Sequence, residues 1–355
     1  VAARLSIFRL FFFSRYGDHR DLHSFPTRRS SDLMKAARLV GPKLFEFLET
    51  ETPVANDGQV LIKLERVSVC GSDCRHGFNI HPEEEYPMDI GRPCHELAGT
   101  IVGSRTDEYQ EGQRVIAIPE RGKGGLVEYM TSDPSRMILL PDEGPLDEWV
   151  MCQPSGTVLY SCQQMPNILG KNVVVMGQGS IGLSFAMITS RMGASSVAVV
   201  DPLDYRLEKS KIFGSTHQIN PDRENLDEAI LEITDGVGPD VIIEAAGYPD
   251  SFNSCFRLVR QFGTIIVFGV QADEFVSIEH NYIMDKQPRM IGTTGARSGD
   301  PTSQIKHMVA LRQRGWCEPA DLITHRMGFT DVQKAYDMYD QQQEEVIKVV
   351  MDITA

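Results

Sequence analysis

Asn172–Met176 (NVVVM) is a short β-branched run that leads directly into Gly177-Gln178-Gly179-Ser180-Ile181-Gly182, a G-x-G-x-x-G turn. An apolar-rich helical stretch follows from Ile181 to Met192, closed by Gly193, and a second strand, Ser196–Val200, ends at Asp201. Strand, glycine turn, helix, strand and acidic residue in this order constrain the chain to a βαβ unit of a buried parallel sheet. Gly177 permits the tight turn, Gly179 admits a pyrophosphate close to the backbone, and Gly182 lets helix and strand pack closely. The helix start at Ser180 and Ile181 offers free N–H groups and a positive dipole end to the phosphates. Asp201 stands 19 residues after Gly182, where a carboxylate accepts hydrogen bonds from ribose hydroxyls and repels a 2′-phosphate. NAD is therefore expected over NADP. Arg206 is either a solvated helix charge or a counter-charge for such a phosphate.

The alternation continues. Leu226–Thr234 reads as a helix, Val241–Glu244 as a strand, Ser251–Val259 as a helix, and Gly263–Gly269 and Met290–Thr293 as strands. The pattern is a doubly wound α/β sheet, whose ligand crevice lies at the carboxyl ends of its strands. Gly269 ends one such strand and either flanks a nicotinamide ring or belongs to plain core.

Residues 59–130 have a different rhythm. Val60, Ile62, Leu64 and Val67 nearly alternate with polar residues, as in a half-buried antiparallel strand. Leu97–Val102, Arg114–Ile118 and Leu126–Met130 are further short strands between glycine-rich turns, which implies a small all-β domain. Two segments here carry chemistry, Ser68-Val69-Cys70-Gly71-Ser72-Asp73 and Gly91-Arg92-Pro93-Cys94-His95-Glu96-Leu97-Ala98-Gly99.

Together with the nucleotide fingerprint, these motifs resemble the medium-chain, zinc-dependent alcohol dehydrogenases, nearest in style to the sorbitol and threonine dehydrogenases. The resemblance spans Met34 to Ala355. It implies a GroES-like β-barrel catalytic domain over 34–165, completed by 301–355, and a Rossmann domain over 166–300. It also implies one catalytic zinc held by Cys70 and His95. Thiolate and imidazole suit this borderline-soft ion, which keeps one coordination position open. Glu96 would enter the shell during ligand exchange, Asp73 would orient a ligand, and Ser72 would take the substrate proton as the first member of a relay. The implied reaction is hydride transfer between a secondary alcohol or polyol, or the matching ketone, and NAD.

Two positions depart from the family pattern. The third zinc ligand is a Cys, Asp or Glu in relatives, and the matching position here is Gln153, a poorer ligand; Cys152 beside it is expected to point elsewhere. At the position where relatives often place a relay His, this chain has Arg75, with His76 next, so the proton leaves through His76, a water chain or the cofactor ribose. Cys94 and Cys74 read as small packed residues. Many relatives also hold a structural zinc in a lobe of four cysteines, but residues 117–128 read AIPERGKGGLVE with no cysteine, so no structural zinc is expected.

The C-terminal part implies a chain that returns to the first domain. Ser303–Arg314 reads as a helix, Leu322–His325 as a short strand, Thr330 as the N-cap of a helix to about Met338, and Val346–Met351 as a last strand. His325 is expected to be structural.

The 355 residues carry a formal net charge of −14, which opposes nucleic acid and anionic lipid and favours a small-molecule partner. No eighteen-residue apolar run is present, so no membrane span is expected. Seven dispersed cysteines fit a reducing, cytoplasmic setting. The resemblance further implies a homodimer or homotetramer. Residues 1–33 stand apart, with six arginines against three aspartates, whereas the remainder has 29 basic and 46 acidic residues. Arg9 interrupts the apolar stretch of a would-be secretory signal. The segment resembles a transit peptide or, from Ser14 onward, translated sequencing-adapter DNA, which makes Met34 the expected natural start and residues 1–33 a disordered extension. Two rival functions fit the same fold: a zinc-free reductase of enones or quinones, and a non-enzymatic NAD-binding protein.

Overall fold

The computed structural model describes residues 33–78, 81–271, 275–295 and 298–355. Of the extension expected over residues 1–33, residues 1–32 lie outside the described residues, and Leu33 is not disordered but opens the first strand, opposite Glu51. Strands β1 (Leu33–Gly41) and β2 (Leu44–Glu51) form an antiparallel hairpin, with Met34, Ala36, Ala37 and Leu39 buried. β3 (Val60–Ser68) then pairs with β4 (Glu96–Ser104), and β5 (Arg114–Ala117), β6 (Tyr129–Ser132) and β7 (Met137–Leu139) complete the first part of this antiparallel sheet. The alternation of Val60, Ile62 and Leu64 breaks before Val67 because the β3–β4 register shifts between Leu64 and Arg66. An extra residue there turns the next side chain to the other face. The strand expected over Leu126–Met130 starts later, at Tyr129, and Val127 only bridges to Ala36.

The second sheet contains β8 (Asn172–Met176), β9 (Ser196–Val200), β10 (His217–Ile219), β11 (Val241–Glu244), β12 (Thr264–Val267) and β13 (Arg289–Gly292). All pairs are parallel, in the order β10-β9-β8-β11-β12-β13. The strand order reverses between β8 and β11, which places the ligand crevice beyond their carboxyl ends. The helix Ser180–Arg191 follows β8, and Asn225 caps Leu226–Ile233 with its side chain on Asp227 N and Glu228 N. Val173, Val175, Leu183, Phe185 and Ile188 share one core with Val150, Cys152 and Val158.

The chain returns as expected, with different boundaries. β14 (His325–Gly328) lies parallel to β15 (Val349–Asp352), and β15 pairs antiparallel with β3. Leu322 belongs to a helical turn, Pro319–Leu322, not to a strand; Pro319 suits a first helical position and Glu318 accepts from Ala320 N. Thr330 is not the N-cap of the next helix. It lies within a tight turn, Phe329–Asp331, that runs straight into the helix Val332–Asp340, so the cap position falls on Asp331. Among the described residues, no helix is long and apolar enough to cross a membrane.

Candidate active site

Ser68 and Glu96 face one another in the β3–β4 ladder. Cys70 and His95, just outside it, therefore leave the sheet at the same edge. Val69 N bonds Val349 O at 3.0 Å, which ties this edge to β15. After Cys70 the chain makes one helical turn, with Asp73 N on Cys70 O at 3.0 Å and Cys70 N on Asp73 Oδ2 at 3.3 Å. The turn brings Asp73 Oδ1 to 2.5 Å from His95 Nδ1. We assign the Nδ1 proton to this bond, which makes Nε2 the nitrogen that a metal would take once its own proton has left. One ligand atom from each of Cys70, His95 and Glu96 lies within 4.8 Å of the other two.

Charge in this cluster is closely matched. Burial alone would lower the His95 pKa, but the charge and hydrogen bond of Asp73, with a bond to Cys70, raise it well above the usual value. Burial raises the Asp73 carboxyl against the opposing pull of His95. Glu96 is wholly buried; Lys348 Nζ donates to its Oε1 at 2.7 Å and Ser68 Oγ donates to its Oε2. Lys348 also donates to Val69 O at 3.0 Å. Thiol, imidazole and carboxylate at this spacing fit a zinc ion, which would share Glu96 with Lys348 and Ser68.

A cavity of about 330 Å³ opens beside the cluster, lined by Ser72, His95, Gln153, Thr157 and Ile305 among others. Ser72 Oγ donates to Cys70 Sγ at 3.4 Å. Gln153 is 6% exposed, and its amide has no hydrogen-bond partner among the described residues. Cys152 turns into the core instead, where burial pushes its thiol far up. Cys94 is likewise core, its Sγ 3.6 Å from Ser68 O, and Cys74 packs in the same cluster.

The nucleotide end has the geometry its glycines require. Gly177 has φ +87°, and a Cβ there would lie 2.8 Å from Ala246 Cα. A Cβ on Gly182 would lie 1.8 Å from Gly177 O, whereas Gly179 faces open space. Ser180 is buried at the helix start and Ile181 half-buried. Asp201 Oδ2 accepts from Gln178 N at 2.7 Å and Oδ1 from Leu203 N at 2.9 Å, while Arg206 stands 3.6 Å away. Arg206 is thus paired with Asp201 rather than solvated. Gly269 has a packing reason of its own, because a Cβ would lie 2.3 Å from Glu244 Oε2.

Arg75 has a role that its position in the motif did not reveal. It crosses to the second sheet and donates from Nη1 to Gly247 O at 2.9 Å and to Val270 O, and from Nη2 to Ala246 O at 2.9 Å. From below, Glu244 Oε1 accepts from Ala246 N at 3.0 Å and Gly247 N at 2.7 Å. Arg75 is therefore committed to loop carbonyls and is no proton carrier; the His76 side chain lies outside the described residues. Lys348 and Glu244 were also missed. A lone lysine inside the apolar run VIKVV was the available signal for Lys348, since a buried ammonium demands a carboxylate.

Residues 56–142 match the alcohol dehydrogenase GroES-like domain, and residues 180–312 match the zinc-binding dehydrogenase family. The zinc-type alcohol dehydrogenase-like protein YdjJ of Escherichia coli K12 is 26% identical over 346 residues, covering 88% of this chain and 97% of its own. The sorbitol dehydrogenase of Bacillus subtilis is 26% identical over 349 residues, covering 90% and 97%. Among solved structures, an E. coli oxidoreductase of unknown specificity superposes with a TM-score of 0.81 at 24% identity, covering 90% of this chain and 99% of that one. The last comparison speaks to the fold alone. The two domain matches and the curated relatives, taken with the Cys70–His95 cluster and the dinucleotide turn, place this chain in the zinc-type medium-chain alcohol dehydrogenase family.

Proposed function

We propose that this protein is a cytoplasmic, zinc-dependent dehydrogenase that transfers a hydride between a secondary alcohol or polyol, or the matching ketone, and NAD. The observation that carries this reading is the convergence of Cys70, His95 and Glu96 within 4.8 Å beside a cavity that also holds Ser72. Cys70 and His95 would hold the metal, with Gln153 or Glu96 available as a further oxygen ligand. When bound, zinc supplies Lewis-acid polarisation of the substrate oxygen and NAD supplies the hydride acceptor. Ser72 Oγ holds the substrate hydroxyl and relays its proton, accepting it as Ser72 passes its own hydroxyl proton on to water in the cavity or to the cofactor ribose. Asp73 fixes the imidazole, and Ile305 and Thr157 help to wall the reacting carbon from water. Asp201, whose carboxylate is held by Gln178 N and Leu203 N, supports NAD as the cofactor, with Gly177, Gly179, Ser180, Ile181 and Gly182 receiving the pyrophosphate. Residues 117–128 supply no thiolate for a second zinc.

Assembly into a homodimer or homotetramer is supported by the sheet edge at β13, where Met290 is 45% exposed, and by the preceding helix His280–Lys286, where Met284 is exposed. The commitment of both Glu96 oxygens, together with a neutral amide at Gln153, favours one second reading, a zinc-free reductase of enones or quinones. Incubating the purified protein with a panel of secondary alcohols and polyols and with either NAD or NADP, and following absorbance of the reduced nicotinamide, tests the proposal. Oxidation with NAD that a chelator abolishes supports it. Chelator-resistant turnover of enones supports the second reading, and no turnover of any kind leaves a non-enzymatic nucleotide binder.

A further inference from the structure

The cavity beside Ser72 and His95 has a cationic rim. Arg92, Arg121 and Lys123 all line it. In a chain with a net charge of −14, three cations around one small cavity run against the overall composition. Most other described arginines are engaged by a carboxylate or a carbonyl, as in Arg38–Glu46, Arg257–Asp227 and Arg312–Glu148. Arg92, Arg121 and Lys123 make no ion pair and no side-chain hydrogen bond among the described residues. The remaining carboxylates on the cavity wall are Asp73, already joined to His95, and Glu120.

The rim is also held in place. The segment after β5 that carries Arg121 and Lys123 is fastened to the turn leading into His95. Gly125 N bonds Cys94 O at 2.9 Å and Leu126 N bonds Gly91 O at 3.0 Å. The two backbones approach so closely that a Cβ on Gly124 would lie 2.1 Å from Gly91 O. Arg92 sits in the facing turn that precedes β4, half-buried. Cations on two facing segments, without partners among the described residues, lining a cavity that also holds Ser72 and His95, form a receptor for an anion on the substrate itself.

We infer that the substrate is an anionic polyol: a secondary alcohol, oxidised at the Cys70–His95 end, that carries a phosphate or carboxylate bound by Arg92, Arg121 and Lys123. This inference rests on the dehydrogenase reading above and narrows its substrate class. The anion stays outside the redox step, and its contacts contribute to binding and orientation of the reacting carbon.

The test compares a neutral hexitol, the matching hexitol monophosphate and the matching aldonate in the zinc-loaded enzyme with NAD and with NADP, together with inorganic phosphate as an inhibitor. Wild type should oxidise the phosphate or the carboxylate with kcat/KM about tenfold or more above the neutral polyol, and the preferred arm identifies the anion. Inorganic phosphate should compete with that substrate. Arg121→Gln with Lys123→Gln, both exposed positions, should lower the anionic-to-neutral ratio by about tenfold, and adding Arg92→Gln should lower it further. Arg105→Gln removes the same charge at the far end of β3 and β4, where Arg105 pairs with Asp57, and should hold the ratio. A ratio near one in wild type, or a ratio that the rim variants leave unmoved, overturns the inference and leaves the dehydrogenase reading intact. Failure to oxidise any alcohol with either cofactor sinks the dehydrogenase reading and this inference with it.

Discussion

Lys348 Nζ lies 2.7 Å from Glu96 Oε1 across 252 residues of chain, with both side chains fully shielded from solvent. The residue just before the last strand thereby reaches the first residue of β4 and holds the carboxylate next to the proposed metal site. Such a pair contributes little net stability, because desolvation offsets attraction, but losing one partner strands the other. Lys348→Met should destabilise the fold by about 3–5 kcal/mol, read by urea denaturation. Adding Glu96→Gln to that variant should recover much of the loss. Equal stability of Lys348→Met and wild type would mean that the pair carries no structural weight.

Zinc affinity should rise with pH. Asp73 holds the His95 pKa well above its usual value against the opposing effect of burial, so the metal-free site keeps a proton that the metal must displace. Below the raised pKa, the His95 proton alone should change the apparent Kd about tenfold per pH unit. Titration with a zinc-competing chromophore across the ordinary histidine range reads this, and a flat profile would remove His95 from the ligand set.

Arg75 spans the two sheets with a fork of donors on Ala246, Gly247 and Val270 carbonyls. Charged hydrogen bonds of this kind contribute about 1.5–3 kcal/mol each. Arg75→Met should split calorimetric unfolding into two transitions, with the nucleotide-binding sheet keeping the higher midpoint. Arg75→Lys should rescue only in part, since one ammonium does not reproduce a planar fork. A single transition at the wild-type temperature would contradict the clamp.

At the dinucleotide turn, any side chain on Gly182 meets Gly177 O, 1.8 Å from the Cβ position. Gly182→Val should push the helix Ser180–Arg191 away from β8 and weaken NADH binding at least about a hundredfold, measured by quenching or transfer of protein fluorescence. Undiminished binding would show that the phosphates lie elsewhere.

Much of this architecture was legible in the residues. β8 with its glycine turn and β9 with Asp201 declared the parallel sheet because period, spacing and turn chemistry agree there. Cys70 and His95 were legible as a pair because both fall in short, recognisable segments. The partners that hold them were harder to see. Lys348 meets Glu96 only after the chain has returned to β3, and Arg75 meets Gly247 only once the two sheets dock, so no local pattern announces either. The errors at Leu322 and Thr330 arose where local turn chemistry at Pro319 and Asp331 outweighed apolar periodicity. Of the rim cations, Arg121 and Lys123 stood as letters in AIPERGKGGLVE and Arg92 in GRPCHELAG, but they line one cavity only because the backbones of Gly124 and Gly91 meet.

The most direct test of the Cys70–His95 centre is elemental analysis of the purified protein, with wild type measured beside Cys70→Ser, His95→Ala and Gln153→Glu. Wild type should carry about one zinc per chain, as a single catalytic site requires. The first two variants should lose that zinc, and Gln153→Glu should retain it more tightly against a chelator. Zinc absent from wild type, or retained undiminished without Cys70 and His95, would rule out these two residues as the metal's ligands.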